Sequence, residues 1–301
     1  PPTEQRVREA IKTLGFRRND SARLLRTGQA ATVGLVVEDI GDPFYSGLSR
    51  GVEGVARARG SLLLSGSSDA DPATEHKLAL TLCARRVDGL IMVPTSDDHS
   101  YLLPEMRAGV PVVFADRPPG RIDADAVLTD NAGGSRMATA HLIAGGHRRI
   151  GYLGDNPVIF TARERHRGYL EAMSDVGQPV AESWVSVGSL TMGKVRASLE
   201  RMLAGPAPVT ALICGNNRIS VLALHALASL DTTLAMIGFD DFELADLLRV
   251  TVIAQDPAEL GKRAAELLFL RMDGDSAPSR RIVIPTRLVQ RGSGELSPCA
   301  P

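Results

Sequence analysis

Thr32 to Ser65 reads TVGLVVEDIGDPFYSGLSRGVEGVARARGSLLLS, and the spacing of its apolar residues decides the fold. Val33 to Val37 is a continuous apolar run of strand length, and Ser61 to Ser65 is another. Between them, from about Phe44 to Arg59, Leu48, Val52 and Val55 recur at helical spacing behind a helix start at Asp42-Pro43. Strand, helix and strand in this order predict a parallel βαβ unit. Strands that are apolar along their whole length predict a sheet covered on both faces.

Reading onward, GLIMV (Gly89 to Val93), PVVFA (Pro111 to Ala115) and AVLT (Ala126 to Thr129) continue the buried strands, with helices expected from about Ala73 and His99. After Asn131 the pattern restarts with a helix to Ala144, the strand Ile150 to Leu153 and a helix from Ala162 to Val176. Strands at Trp184 to Val187, Ala211 to Cys214 and Leu234 to Phe239 follow, with helices from about Met192 and over Ile219 to Ser229. The expected class is α/β, two doubly wound parallel-sheet units in series. Ligands of such sheets bind at the carboxyl ends of the strands. An amphipathic helix over Pro257 to Gly274 and the run RIVIPTRLVQR (Arg281 to Arg291) close the body. Beyond Gly292 a Ser-, Pro- and Gly-rich tail is expected to be disordered.

Reading back toward the N-terminus, TEQRVREAIKTL (Thr3 to Leu14) places Val7, Ala10, Ile11 and Leu14 on one helix face. FRRNDSARLLRTG (Phe16 to Gly28) follows, with Ser21 to Arg26 able to make about two helical turns. That is far below the ~12–15 residues an isolated helix needs in water, so it requires a partner to order. Residues 1–28 carry seven basic side chains (Arg6, Arg8, Lys12, Arg17, Arg18, Arg23 and Arg26) and three acidic ones (Glu4, Glu9 and Asp20), in a chain whose net charge is −1. Any affinity for a polyanion therefore resides there. The chain opens on Pro1 rather than Met, and a segment preceding it is expected.

Chemistry of other kinds finds little support. Cys83, Cys214 and Cys299 have no metal-ligand spacing, and the histidines show none, so neither metal nor cofactor is expected and a reduced, cytoplasmic setting is. GLSRG (Gly47 to Gly51) matches a nucleophile elbow in letters, but Ser49 falls inside the predicted helix rather than on a strand-to-helix turn. GSLTMGKV (Gly188 to Val195) lacks the hydroxyl after lysine that a phosphate loop needs for Mg²⁺. No enzyme is expected. Polar and aromatic residues do gather after the strands: Asp42, Phe44 and Tyr45, then Asp130 and Asn131, then Thr161, Arg163 and Arg165, then Asn216 and Asn217, then Asp240 and Asp241. Carboxylates, amides and guanidinium beside aromatic faces suit a hydroxyl-rich ligand.

RVREAIKTLGFRRNDSARLLRTG, TVGLVVEDIGDPFYSGLSRGVEGVARARG, VDGLIMVP, GVPVVFADR, LTDNAGGSRMATAHLIAGGHRRIGYLG, TARERHRGYLEAM and MIGFDD, in this order, resemble the LacI/GalR (lactose-repressor/galactose-repressor) transcription regulators over about Thr3 to Ser293. The resemblance implies a homodimeric repressor with a periplasmic-binding-protein-like core that binds a sugar or polyol and controls operator DNA. Thr3 to Leu14 then matches the third helix of a helix-turn-helix domain whose first two helices are absent. Ser21 to Arg26 matches the hinge helix, with Leu25 as the minor-groove wedge flanked by Asn19, Ala22 and Arg23. Phe44, Tyr45, Asp130, Thr161, Arg165, Asn216 and Asp240 fall on effector-pocket positions, Arg165 donating and Asp240 accepting.

The family's plan gives residues 1–15 as the DNA-binding remnant and 16–31 as hinge. Residues 32–130 with 257–280 form one subdomain, 131–256 with 281–293 the other, and 294–301 the tail. Asn217 stands where many members carry Asp, and Leu190 where purine-type members stack an aromatic. The helix from Phe44 to Arg59 is a candidate dimer face. The competing class is a free-standing solute-binding protein of a transport system.

Overall fold

The computed structural model describes residues 2–13, 30–204 and 206–298. A helix, α1 (Pro2–Thr13), comes first; the hinge stretch, with Asn19, Ala22, Arg23 and Leu25, lies outside the described residues. The body is two six-stranded sheets. The first joins β1 (Thr32–Val37), β2 (Leu62–Ser67), β3 (Gly89–Met92), β4 (Val112–Ala115), β5 (Asp125–Thr129) and β11 (Arg281–Ile284) in the order β11-β5-β4-β3-β1-β2, every pair parallel. The second joins β6 (Ile150–Gly154), β7 (Val185–Val187), β8 (Ala211–Cys214), β9 (Ala235–Phe239), β10 (Thr251–Ala254) and β12 (Arg287–Val289) in the order β12-β10-β9-β8-β6-β7. Here β12 alone is antiparallel to its neighbour. The two windings are the same plan used twice, with β4 and β5 of one lobe standing where β9 and β10 stand in the other.

Helices cover the sheets: α2 (Pro43–Ala58), α3 (Pro72–Ala84), the short α4 (Leu103–Arg107) and α9 (Pro257–Met272) on the first, and α5 (Asn131–Ala144), α6 (Phe160–Asp175), α7 (Met192–Ala204) and α8 (Asn217–Ser229) on the second. Asp-Pro pairs start α2, α3 and α9: the aspartate side chain accepts from a first-turn N–H while proline takes a position whose N–H would be unpaired. α2 and α9 cross at backbone contact. A Cβ on Gly51 would sit 2.1 Å from the Ala258 carbonyl oxygen, and one on Gly261 would sit 2.0 Å from that of Leu48, so the crossing demands glycine on both helices. Leu48 and Val52 are fully buried in this lobe's own core, against the sheet and α9, while Val55, the third residue of that stripe, is only partly buried.

Four expectations need correction. Ser61 to Ser65 is not a buried strand: β2 is the sheet's edge, and Leu62 and Leu64 are 71% and 41% exposed. Residues 281–293 do not stay together in the second subdomain. β11 pairs with β5 in the first, held by Arg271, which donates to both Asp125 oxygens at 2.6 and 2.9 Å, and by Arg280 N–H donating to Asp125 Oδ1 at 2.7 Å. Residues 293–298 of the tail pack on the second lobe. A 3₁₀ turn over Ser293–Glu295 puts Glu295 against Thr251 Oγ1 and His141 at 2.8 Å each, and the Leu296 carbonyl lies 2.8 Å from His147 Nε2. The segment after His99 is a 3₁₀ turn, Ser100–Leu102, followed by only five α-helical residues. The reason lies in His99 itself, buried with Nε2 3.0 Å from Glu75 Oε1 and Nδ1 3.1 Å from the Pro119 carbonyl, which pins the loop against α3. Strand β10 was not anticipated at all.

Candidate functional site

Both lobes turn the carboxyl ends of their strands toward one cleft. Glu38 follows β1, Asp42, Phe44 and Tyr45 open α2, and Asp116 and Arg117 follow β4. From the other lobe come Asp155 after β6, Thr161 and Arg165 on α6, Asn216, Asn217 and Arg218 at the start of α8, Asp240 after β9 and Gln255 after β10. The doubled winding is visible here in detail. Asp116 and Asp240 each have φ of 68°, and each donates its N–H to the next strand, Asp116 to the Val127 carbonyl and Asp240 to that of Ile253, both at 2.9 Å. Aspartate tolerates that left-handed backbone better than most side chains, and in both lobes it turns a carboxylate from the strand end into the cleft.

On the second lobe Arg165 is the hub. Its Nε donates to Asn131 Oδ1 and its Nη1 to the Gly215 carbonyl, both at 2.7 Å, and Nη1 lies 3.3 Å from Asp240 Oδ2. The guanidinium sits over the Phe239 ring at 3.8 Å, a cation–π contact that fixes its plane. Asn131 is oriented in turn by donating from Nδ2 to the Thr129 carbonyl at 3.1 Å. Gln255 donates to the other Asp240 oxygen.

On the first lobe Arg117 plays the matching part. Nη1 donates to the Pro94 carbonyl at 3.1 Å, and Nη2 donates to Tyr45 Oη at 3.0 Å and to Glu38. Burial disfavours its charge, yet Tyr45, Asp116 and Glu38 around it raise its pKa above the ordinary arginine value. Burial likewise pushes the Tyr45 phenol well up, and it pushes the Asp116 carboxyl up to about 6, the attraction of Arg117 and Arg165 only partly opposing it. Phe44 meets Tyr45 edge to face at 5.2 Å and gives the cleft an apolar wall.

Three polar atoms at this cleft are buried and take no hydrogen bond among the described residues: Asp116 Oδ1, Arg117 Nε and Gln255 Oε1. Their residues are only 3%, 8% and 9% exposed. A buried polar group left unmatched costs about 1–3 kcal/mol, so the cleft suits a molecule that both donates and accepts. A hydroxyl group does both, and several on one small ring would meet acceptors from either lobe at once. The room for water centres is about 80 Å³. That is several times the ~10–15 Å³ that a single water needs, so the cleft admits a small ligand.

Of the residues expected at the pocket, Phe44, Tyr45, Thr161, Arg165, Asn216 and Asp240 line the cleft. Asp130 does not: it caps α5, accepting from Gly133 N–H at 2.8 Å, and its neighbour Asn131 is the residue that reaches Arg165. Asp241 turns away to Arg291, and Arg163 lies over Phe160. Glu38, Asp116, Arg117, Asp155, Arg218 and Gln255 were missed. Glu38 and Asp116-Arg117 directly follow recognised strands, so the strand-end rule reaches them; Gln255 was hidden because β10 was. Ser49 lies within α2, and Lys194 of the GSLTMGKV loop donates to the Ser189 carbonyl at 3.1 Å, folding back on its own loop. No group of three or more metal-binding side chains occurs among the described residues, and none of their helices is long and apolar enough to cross a membrane.

Residues 139–294 match the family model of the periplasmic binding protein-like domain. The HTH-type transcriptional regulator CelR of Thermobifida fusca is 33% identical, the alignment covering 98% of this chain and 90% of CelR. The ribose operon repressor of Escherichia coli is 30% identical over 96% of this chain and 89% of the repressor. Among solved structures, that of a CelR–cellobiose complex superposes with a TM-score of 0.78 at 30% identity, covering 98% of this chain and 91% of that one.

Proposed function

The chain belongs to the LacI family of transcriptional regulators, and from that premise we propose that its cleft binds a small sugar or related polyol as an effector that controls operator DNA. Its relatives are regulators, which separates it from enzymes and favours it over a free-standing solute-binding protein. The observation that carries the effector reading is the facing pair of strand-end clusters, Asp116 with Arg117 on one lobe and Asp240 with Arg165 and Gln255 on the other. Each presents acceptors and donors to the same small space, and only a ligand that bridges them satisfies both lobes. Asp116, Arg117 and Gln255 join Phe44, Tyr45, Thr161, Arg165, Asn216 and Asp240 as the proposed contacts.

A ligand gripped by both lobes favours the closed arrangement by its difference in affinity for closed and open states. The first lobe begins directly after the hinge stretch, so a change in lobe angle is transmitted to residues 16–31. In a cytoplasmic homodimer two such hinges lie side by side, and Leu25, flanked by Asn19, Ala22 and Arg23, wedges into the minor groove when they order. The relatives named for cellobiose and ribose support a carbohydrate.

A thermal-shift screen of sugars, polyols and nucleosides tests the reading, with Arg165→Ala and Asp240→Ala as controls. A sugar or polyol should raise the melting temperature of the wild type and of neither variant. A nucleoside as the sole stabiliser, or equal shifts in the variants, overturns it.

A further inference from the structure

The lobes also touch at the mouth of the cleft, through side chains on opposite sheets. Arg218, on the first turn of α8 in the second lobe, lies with Nη2 2.6 Å from Asp39 Oδ2 and Nε 3.0 Å from Asp42 Oδ2 in the first lobe. Asn217 beside it reaches Asp42 Oδ1 at 3.5 Å. Asp42 is already committed to the first lobe, because Oδ1 caps α2 by accepting from Phe44 N–H at 2.9 Å. Its side chain is only 10% exposed, whereas that of Arg218 is 58% exposed and yet lines the cleft. Arg218 therefore stands between the cavity and solvent, tied across the opening to a carboxylate whose position the helix start fixes. Asp39 is held below the usual carboxylate range, first by the Gly41 N–H and then by Arg218, so its carboxylate is charged at neutral pH.

We propose that Arg218 is a specificity-determining residue: bridged to Asp39 and Asp42, it roofs the cleft, so the effector is a single free ring and a ring bearing a further glycosyl group is excluded. The inference rests on the effector reading above and adds the size limit and its cause. The geometry supports both parts. The cavity is small, about 80 Å³, and a substituent leaving through the mouth meets a guanidinium whose displacement breaks two ion pairs between the lobes. A larger ligand would thus oppose the closure that a smaller one favours.

The test titrates the wild type and Arg218→Ala calorimetrically with the best-binding monosaccharide and with its disaccharides and methyl glycosides substituted at each ring position. Arg218 is exposed and in no core, so the variant should melt at a temperature close to the wild type's. The wild type should bind the free ring and discriminate against at least one glycoside position by about a hundredfold. Arg218→Ala should narrow that gap by at least about tenfold through tighter glycoside binding, with a smaller change for the free ring. If the wild type binds free ring and every glycoside alike, or if the gap is unchanged in the variant, the roof is overturned while the effector reading stands. If no carbohydrate binds the wild type, both fall together.

Discussion

Asp116 offers a test in which stability and binding move in opposite directions. Its carboxylate is 3% exposed, and burial raises its pKa from 3.8 to about 6. A folded-state pKa above the unfolded one means the folded protein binds more protons. The resulting penalty is fully present above about pH 6 and is relieved as the pH falls toward 3.8. Its size at about pH 8 is on the order of 3 kcal/mol, at 1.36 kcal/mol for each pH unit between the two values.

Asp116→Asn keeps the shape and tolerates φ of 68°; it removes the 3.5 Å ion pair between Asp116 Oδ2 and Arg117 Nε but leaves Arg117 bonded to Glu38, Tyr45 and Pro94. Urea denaturation of both proteins at about pH 8, 6 and 4.5 should show the variant more stable by about 3 kcal/mol at the highest pH. The difference should shrink by about 1.4 kcal/mol per pH unit below 6. The same substitution should weaken effector binding by roughly tenfold or more, because the charged acceptor is lost. A stability difference independent of pH, or a variant less stable at pH 8, would refute the burial argument.

Gly51→Ala and Gly261→Ala each place a Cβ within 2.1 Å of a carbonyl oxygen on the facing helix. Each should cost about 1–3 kcal/mol or more in urea denaturation, while Gly54→Ala, with nothing within 4 Å, should be neutral or slightly stabilising. Glu75 is fully buried; although burial raises its pKa, the bonds from His99 and Thr95 lower it below 4.5 overall. It therefore contributes stability above that value that is lost as the pH falls through the lowered one. The gap between wild type and Glu75→Gln should narrow steadily as the pH falls below 4.5, and a gap that does not change with pH contradicts the pairing. In a protein carrying a complete DNA-binding domain, Leu25→Ala should weaken operator binding by a few kcal/mol at fixed salt; equal affinity in gel-shift titrations removes the wedge from the mechanism.

The strand-helix alternation was legible because a doubly wound sheet buries both faces of its central strands, leaving uninterrupted apolar runs such as VGLVV and ALIC. The errors fall where that rule lapses. SLLLS is as apolar as a central strand but lies at an edge, and nothing local in Leu62 or Leu64 distinguishes the two places. TVIA is a buried strand, Val252 and Ile253 fully enclosed, yet it follows Leu247, Leu248 and Val250 so closely that no punctuation isolates it. Losing it hid Gln255. The division between β11 and β12 depends on Arg271 reaching Asp125 across 146 positions of sequence, which no local pattern records. At the site, residue types after strands pointed to the right neighbourhood. They could not separate Asp130, spent on capping α5, from Asn131, which positions Arg165.

The most direct measurement of the central claim is a calorimetric titration of this chain with pentoses, hexoses and polyols, repeated on Asp240→Asn, which accommodates the same left-handed backbone. The account predicts that at least one such ligand binds the wild type at a single site and that Asp240→Asn weakens it by at least about tenfold. No binding across the set, or binding of unchanged strength in the variant, would contradict a cleft built to close on a polyhydroxylated effector.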